Sequence, residues 1–180
     1  MTIPAPKTIW TIGHSNRDFE TFLRMLAAAS IALVADVRRF NGSKRHPQFG
    51  RDQFEPGLAL AGIGYRHFEG LGGRRGRSRE GSPNQGWRVD SFNAFADHME
   101  STEFQTDLST LIALAGSSRV ALMCSEAVPW RCHRRLIADA LTVRGWRVLD
   151  LIGPGPPKPH ALTPFARVAE GGITYPAEAL

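Results

Sequence analysis

The apolar pattern of this chain predicts a single-domain α/β protein: an open, mostly parallel, doubly wound (Rossmann-like) sheet with helices on both faces. Two observations carry that prediction. Strand-like and helix-like patterns alternate along the chain, as successive βαβ units require. Two strand candidates, Ile31–Ala35 and Val120–Met123, are apolar at consecutive rather than alternate positions, which places them inside a parallel sheet covered above and below. A length of 180 residues with 42% hydrophobic residues supplies one core and therefore one domain.

Taken in order, Thr8–Ile12 reads as the first strand. Phe19, Phe22, Leu23 and Leu26 then fall at i, i+3, i+4 and i+7, the stripe of an amphipathic helix, with Ser15 or Asn16 as its cap. Ile31–Ala35 is the second strand. Gln53–Ala61 reads as a short helix weakened by Pro56 and Gly57, and Ile63–His67 as the third strand. Gly70–Arg88 holds six glycines and five arginines with almost nothing apolar, the composition of a long functional loop or a disordered one. Ser91–Glu100 and Glu103–Ala115 carry helical stripes. Arg119–Cys124 is the fourth strand, Trp130–Arg144 a helix stopped at Gly145, and Trp146–Leu151 the last strand. The α/β domain thus occupies residues 1–152. Residues 153–180, opening with GPGPPKPHALTP, read as a Pro/Gly-rich C-terminal extension that adds nothing to the core.

No apolar run approaches the ~20 residues of a membrane span. The start MTIPAPKTIW lacks the charged and apolar segments of a signal peptide, so a cytoplasmic location is expected. Two cysteines do not make a disulfide scaffold, and in a reducing compartment they are thiols available for catalysis or metal. The net charge of +5 is clustered: Arg38, Arg39, Lys44, Arg45 and Arg51 stand together without an acid among them, and Arg74, Arg75, Arg77 and Arg79 follow. Arginine clusters of this kind point to a phosphate-bearing small molecule or nucleic acid as partner, the alternative for the second cluster being a solvated basic surface.

In such a sheet the loops after the strands converge on one edge. Here they are GHSNR after the first strand, Asp36 to Arg39 after the second, LGGRRGR after the third and CSE after the fourth. They gather His14, Asp36, Cys124, Glu126 and His133 as catalytic candidates, with Arg38, Arg39 and Arg74 to hold an anion. The free N–H groups of the helix after His14 would assist, unless that turn is an ordinary polar cap.

The run MCSEAVPWRCHRR supports three chemistries. Cys124, at a strand end, can act as a nucleophile with Glu126 or a histidine as proton carrier. The arrangement is similar to that of cysteine phosphatases and sulfurtransferases, but Arg131 follows Cys124 after six residues rather than five, in a loop without the expected glycine. Alternatively Cys124, Cys132 and His133 bind zinc, although no fourth ligand is apparent. In a third reading Glu126 and Asp36 perform acid/base or glycosyl-transfer work. Cys132 shares a helical line with Leu136 and Ala140, which favours packing over ligation.

The motifs TIGHSNR, VADVRR, SKRHPQF, GIGYRHFEGLGGRR and ALMCSEAVPWRCHRRLIADAL, in this order over roughly residues 8–152, resemble the bacterial family called "domain of unknown function 488". The family's characteristic residues would fall on Gly13, His14, Ser15, Asp36, Arg38, Pro47, Phe49, Tyr65, Leu71, Gly72, Gly73, Cys124, Glu126, Cys132, His133 and Arg134. Ser125 stands where alanine is usual, and Val34-Ala35-Asp36 replaces the commoner Val-Asp run. The resemblance implies the α/β fold and one shared site. It adds Ser15, Tyr65, Gly72, Gly73 and Arg134 to the anion- or substrate-binding set, and implies no reaction. The leading expectation is an enzyme, a hydrolase or transferase, acting on a phosphate-bearing substrate. Its rivals are a non-catalytic nucleotide or nucleic-acid binding module and a zinc protein; no other cofactor is expected.

Overall fold

The computed structural model describes residues 7–170 and 172–178. Residues 1–6 of the expected domain, where the signal-peptide reading falls, and 171 and 179–180 of the extension lie outside the described residues.

Six strands form one sheet in the order β3 (Gly64–His67), β2 (Leu33–Asp36), β4 (Val120–Cys124), β1 (Thr8–Gly13), β5 (Arg147–Leu151) and β6 (Lys158–Pro159). The first five are parallel, and β6 runs antiparallel to β5. β7 (Arg167–Ala169) and β8 (Gly172–Thr174) form a separate two-stranded ribbon. Among the described residues five α-helices cover the sheet: α1 (Phe19–Ala28), α2 (Arg51–Leu60), α3 (Asp90–His98), α4 (Thr102–Ala115) and α5 (Arg134–Thr142). No helix among the described residues is long and apolar enough to cross a membrane.

The two-sided strands produce two cores. Val120, Leu122 and Cys124 of β4 join residues of α3, α4 and α5 in one cluster, while Ala121 and Met123 join residues of α1 and α2 in the other. Neighbouring strands β1 and β4 therefore send their following helices, α1 and α5, to opposite faces. A crevice opens between the ends of such strands.

Several local expectations are corrected. The cap of α1 is Asp18, whose carboxylate accepts the Thr21 N–H at 2.7 Å, and neither Ser15 nor Asn16 caps it. The chain's own carboxylate thus already occupies one of the free N–H groups at the helix N-terminus. Ile31 lies before β2, its amide closing the turn after α1 onto Leu26 O at 2.9 Å. Pro56 sits inside α2, which fully buried Phe54 and Leu58 anchor to the sheet. The helix expected from Trp130 begins only at Arg134. Pro129–Arg131 is a 3-10 turn and Cys132 is extended, so the helical register does not reach Cys132, which nevertheless packs in one cluster with Leu136 and Ala140.

One carboxylate gathers the middle of the glycine-rich 70–88 segment. Asp97 on α3 accepts hydrogen bonds from the Ser78 hydroxyl, the Arg79 N–H, the Ser82 hydroxyl and the Asn84 amide. The C-terminal extension does add to the core: Tyr175 is fully buried, packs against Trp87 and Phe165, and donates to Asp139 at 2.9 Å. Asp139 is buried in α5 and also accepts from the His160 ring at 2.7 Å and the Thr163 N–H at 3.1 Å. One buried acceptor gives three points of the extension something to hold.

Burial alone would lower the His160 pKa, but its contacts with Asp139 and Asp150 outweigh burial and raise it from 6.5 to about 9. A folded pKa above the unfolded one gives stabilisation that is complete below about pH 6.5 and lost as pH rises through about 9. Urea titrations should show the unfolding free energy falling by about 1–3 kcal/mol across that interval. In His160→Gln the fall should be smaller; an unchanged slope would remove His160 from the account.

Candidate functional site

The site is built where β1 and β4 end. Their ladder continues beyond the strands through His14 N–H to Cys124 O at 2.9 Å and Ser15 N–H to Ser125 O at 2.8 Å. Gly13 is pressed against the backbone of Glu126 so closely that a Cβ there would overlap the Glu126 carbonyl. Arg134 grips the same loop from beneath, donating to Glu126 O at 2.6 Å and Ala127 O at 3.2 Å. It is fully buried and does not line the cleft, so its expected place in anion binding is corrected to one of loop support. Arg17 ties Gly13 O and Ile152 O together at 2.6 Å each.

A buried network stands on β2. Arg38 makes a two-pronged pair with Asp36, Nε to Oδ1 at 2.9 Å and a terminal nitrogen to Oδ2 at 2.7 Å, and the Tyr65 hydroxyl donates to Asp36 Oδ2 at 2.7 Å. Arg38's other terminal nitrogen reaches His14 Nε2 at 3.4 Å. A guanidinium only donates, so Nε2 accepts and the ring proton sits on Nδ1, which donates to Ser15 O at 2.8 Å. Burial in the first place, with the Arg38 charge beside it, lowers the His14 pKa to about 4 and keeps the ring neutral. His14 stacks on buried Phe49 at 4.4 Å between centroids. Both of its nitrogens are engaged and it still lines the cleft, whereas Asp36 is enclosed and does not; both groups contact Arg38. Tyr65 likewise serves Asp36 and does not line the cleft.

Cys124, Cys132 and His133 meet on the cleft floor. His133 Nδ1 lies 3.9 Å from Cys124 Sγ and 3.8 Å from Cys132 Sγ, while its Nε2 lies 2.8 Å from Val37 O. A carbonyl only accepts, so Nε2 carries the proton, and in the neutral ring Nδ1 turns its lone pair toward both sulfurs. The two thiols share their protons unequally. Donation from the Cys132 thiol, set against burial, holds Cys124 well below the usual thiol pKa, whereas burial and the neighbouring Cys124 push Cys132 up. The Arg134 N–H at the start of α5 points at Cys132 Sγ, 3.5 Å away.

These groups open into one cleft of about 1180 Å³, walled by the loops after β1 to β4 and the start of α3. Arg38, Arg39, Lys44, Arg45, Arg74 and Arg131 line it, against a single carboxylate, Glu126. The second arginine cluster divides. Arg74 lines the cleft, but Arg75 turns back to Glu69 O, Gly72 O and Glu103, and Arg79 pairs with Glu100. Gly72 and Gly73 allow close packing: a Cβ at Gly72 would lie 2.5 Å from Arg39 Cα, and one at Gly73 2.9 Å from His133 Nδ1. Ser15 and Arg74, both in the wall, adopt left-handed backbone at φ 49° and 59°. Arg39 donates to Arg74 O at 2.8 Å and so holds that loop in place.

Sequence reasoning missed the rim. Phe40, Val89 and Trp130 are among the exposed large apolar side chains, at 63%, 55% and 54%, and all three line this cleft. Trp130 between Pro129 and Arg131 in a polar loop is a visible signal in hindsight; Phe40 after two arginines is a weaker one.

Residues 18–141 match the family model described as "Domain of unknown function DUF488". The chain belongs to this family. No curated protein and no solved structure is significantly similar to it. The DUF488 match covers the Asp36 network and the whole Cys124–His133 loop, while the GHSN turn precedes it and is joined to it by the β1–β4 ladder.

Arg38→Ala strands the Asp36 carboxylate in the interior, so it should cost about 3–5 kcal/mol of stability, and Tyr65→Phe about 1–2 kcal/mol. Denaturant titration checks both. A loss below 1 kcal/mol for Arg38→Ala would show that Asp36 is not held as described.

Proposed function

We propose that this DUF488 protein is an enzyme, a hydrolase or transferase, acting on a phosphate-bearing substrate, a nucleotide or a nucleic-acid segment, bound in the cleft. One observation supports this reading above the others. A single cavity combines six cationic side chains, one carboxylate and two exposed aromatic rings. Arginine forks suit phosphate oxygens, and exposed rings such as Trp130 and Phe40 offer faces on which bases stack. Arg39, Arg74 and Arg131 hold the anion, and Arg38, pinned by Asp36, supplies a fixed donor at the back. The chemistry belongs to the floor, where Cys124, Cys132 and His133 lie beside the anion, with Glu126 to carry a proton.

A module that binds nucleic acid without chemistry is the second reading. The observation favouring it is that Lys44, Arg45, Arg74 and Arg131 are all exposed along the rim, where a long strand would lie.

Titration with inorganic pyrophosphate and with a short oligothymidylate tests the proposal. Arg74→Ala should weaken both about 10-fold, the ~1.4 kcal/mol of one lost charge-assisted contact. Trp130→Ala should weaken the oligonucleotide by about 5–100-fold, the 1–3 kcal/mol of one stacked base, and leave pyrophosphate unchanged. No binding of either probe, or equal binding by both variants, sinks the phosphate reading. Steep salt dependence of oligonucleotide binding with no turnover of any phosphoester would favour the module instead.

A further inference from the structure

The three donors on the cleft floor have the geometry of a metal site. Cys124 Sγ, Cys132 Sγ and His133 Nδ1 all lie within 4.8 Å of one another, and they are the one such group of three found among the described residues. In a tetrahedral zinc site with Zn–S near 2.3 Å and Zn–N near 2.0–2.1 Å, sulfur and nitrogen stand about 3.6 Å apart. The sulfur–nitrogen separations here are 3.9 and 3.8 Å, and the two sulfurs lie within 4.8 Å of each other against about 3.8 Å on a tetrahedral ion, so closing on an ion needs movements of about an ångström or less.

A second observation is independent of those distances. The Nε2–H of His133 is fixed by Val37 O at 2.8 Å, the arrangement in which a ligating histidine donates its other nitrogen to a carbonyl. In the neutral ring this leaves Nδ1 bare and turned to the two sulfurs. Gly73 keeps the flank of Nδ1 clear, since a Cβ there would lie 2.9 Å from it. Cys132, with extended backbone just before α5, is buried in the core cluster and also lines the cleft beside this group.

We propose that Cys124, Cys132 and His133 form a three-donor site for a zinc-class divalent cation, with its fourth tetrahedral position open to the cleft. Two thiolates and an imidazole suit zinc, and three protein ligands with one vacancy mark catalytic rather than structural zinc. Two thiolate charges balance a dication, so the loaded site leaves the cationic walls as they are. An ion there would polarise a phosphoryl oxygen held by the arginines. That catalytic use rests on the phosphate reading; the metal site itself does not.

The test uses the full chain, reduced, stripped with a chelator, and titrated with Zn2+ alone and with Co2+ as a spectroscopic stand-in. One equivalent of Co2+ should give the intense visible bands of tetrahedral cobalt with a near-ultraviolet sulfur-to-cobalt band, and Zn2+ should displace it. Loss of an outer partner alone costs about 10–100-fold in affinity, so Cys132→Ser should lose more than that. Absence of the cobalt bands with both thiols reduced overturns the site, as does an undiminished spectrum in Cys132→Ser. Should that variant fail to fold, thiol modification of the wild type decides: stoichiometric Zn2+ should protect both cysteines, and unchanged reactivity overturns the proposal. Pyrophosphate titration of the stripped protein keeps the two readings apart. Metal binding without pyrophosphate binding sinks the phosphate reading alone, and the reverse sinks the metal site alone.

Discussion

The close approach of β1 and β4 at Gly13 governs the rest of this molecule. With no side chain at that position, the Glu126 carbonyl comes against the strand end, and the parallel ladder runs on to His14 and Ser15. That extension sets His14 beside Cys124 before either side chain contributes anything. It also leaves two carbonyls, those of Glu126 and Ala127, facing inward where water does not reach. Arg134 satisfies both, so a fully buried arginine is the consequence of a missing Cβ more than a hundred residues away in the chain.

The buried polar groups around this contact form two systems with different purposes. Asp36, Arg38, Tyr65 and His14 satisfy one another almost completely, and a buried ion pair of that kind contributes little net stability while making the removal of either partner costly. What it does contribute is position: Arg38 has one face locked to Asp36 and keeps a defined edge toward the cleft. The second system, Cys124, Cys132 and His133, is only partly satisfied from within, because the Nδ1 lone pair meets two sulfurs rather than a hydrogen-bond donor of ordinary strength. A network closed on itself positions; a network with an unmatched lone pair receives.

The sheet was legible because consecutive apolar residues in β2 and β4 have no other economical placement, and the site followed because loops after parallel strands must converge. Individual side chains were harder to place. Arg38 and Arg134 are both arginines beside a strand or helix end, and residue type does not say which of them meets solvent. The backbone at Cys132 was misread because apolar spacing continues through a 3-10 turn and an extended residue before α5 begins, while the expected packing holds, since Cys132 is buried in one cluster with Leu136 and Ala140. The extension was misread because its Pro/Gly-rich opening hides Phe165 and Tyr175 farther on, and their acceptor, Asp139, lies in a helix whose sequence shows no sign of needing partners. Ser15 and Asn16 were expected to cap α1, but the helix begins only at Phe19, so Asp18 stands at its cap position.

The left-handed residues bear on what the cleft is for. Ser15 and Arg74 hold a backbone conformation that costs a non-glycine residue about 1–2 kcal/mol, and they stand on loops supplied by β1 and β3. Neither loop is short of glycine: Gly13 lies two residues from Ser15, and Gly73 and Gly76 flank Arg74. The strained positions therefore carry side chains although glycine would relieve them, and Arg39 holds the Arg74 loop by its carbonyl in that shape. Ser30 and Glu170 hold the same conformation at turns outside the cavity, so left-handed backbone by itself follows the turns of this chain; what sets Ser15 and Arg74 apart is that both stand on walls of one basic cavity, over a floor of sulfur and imidazole.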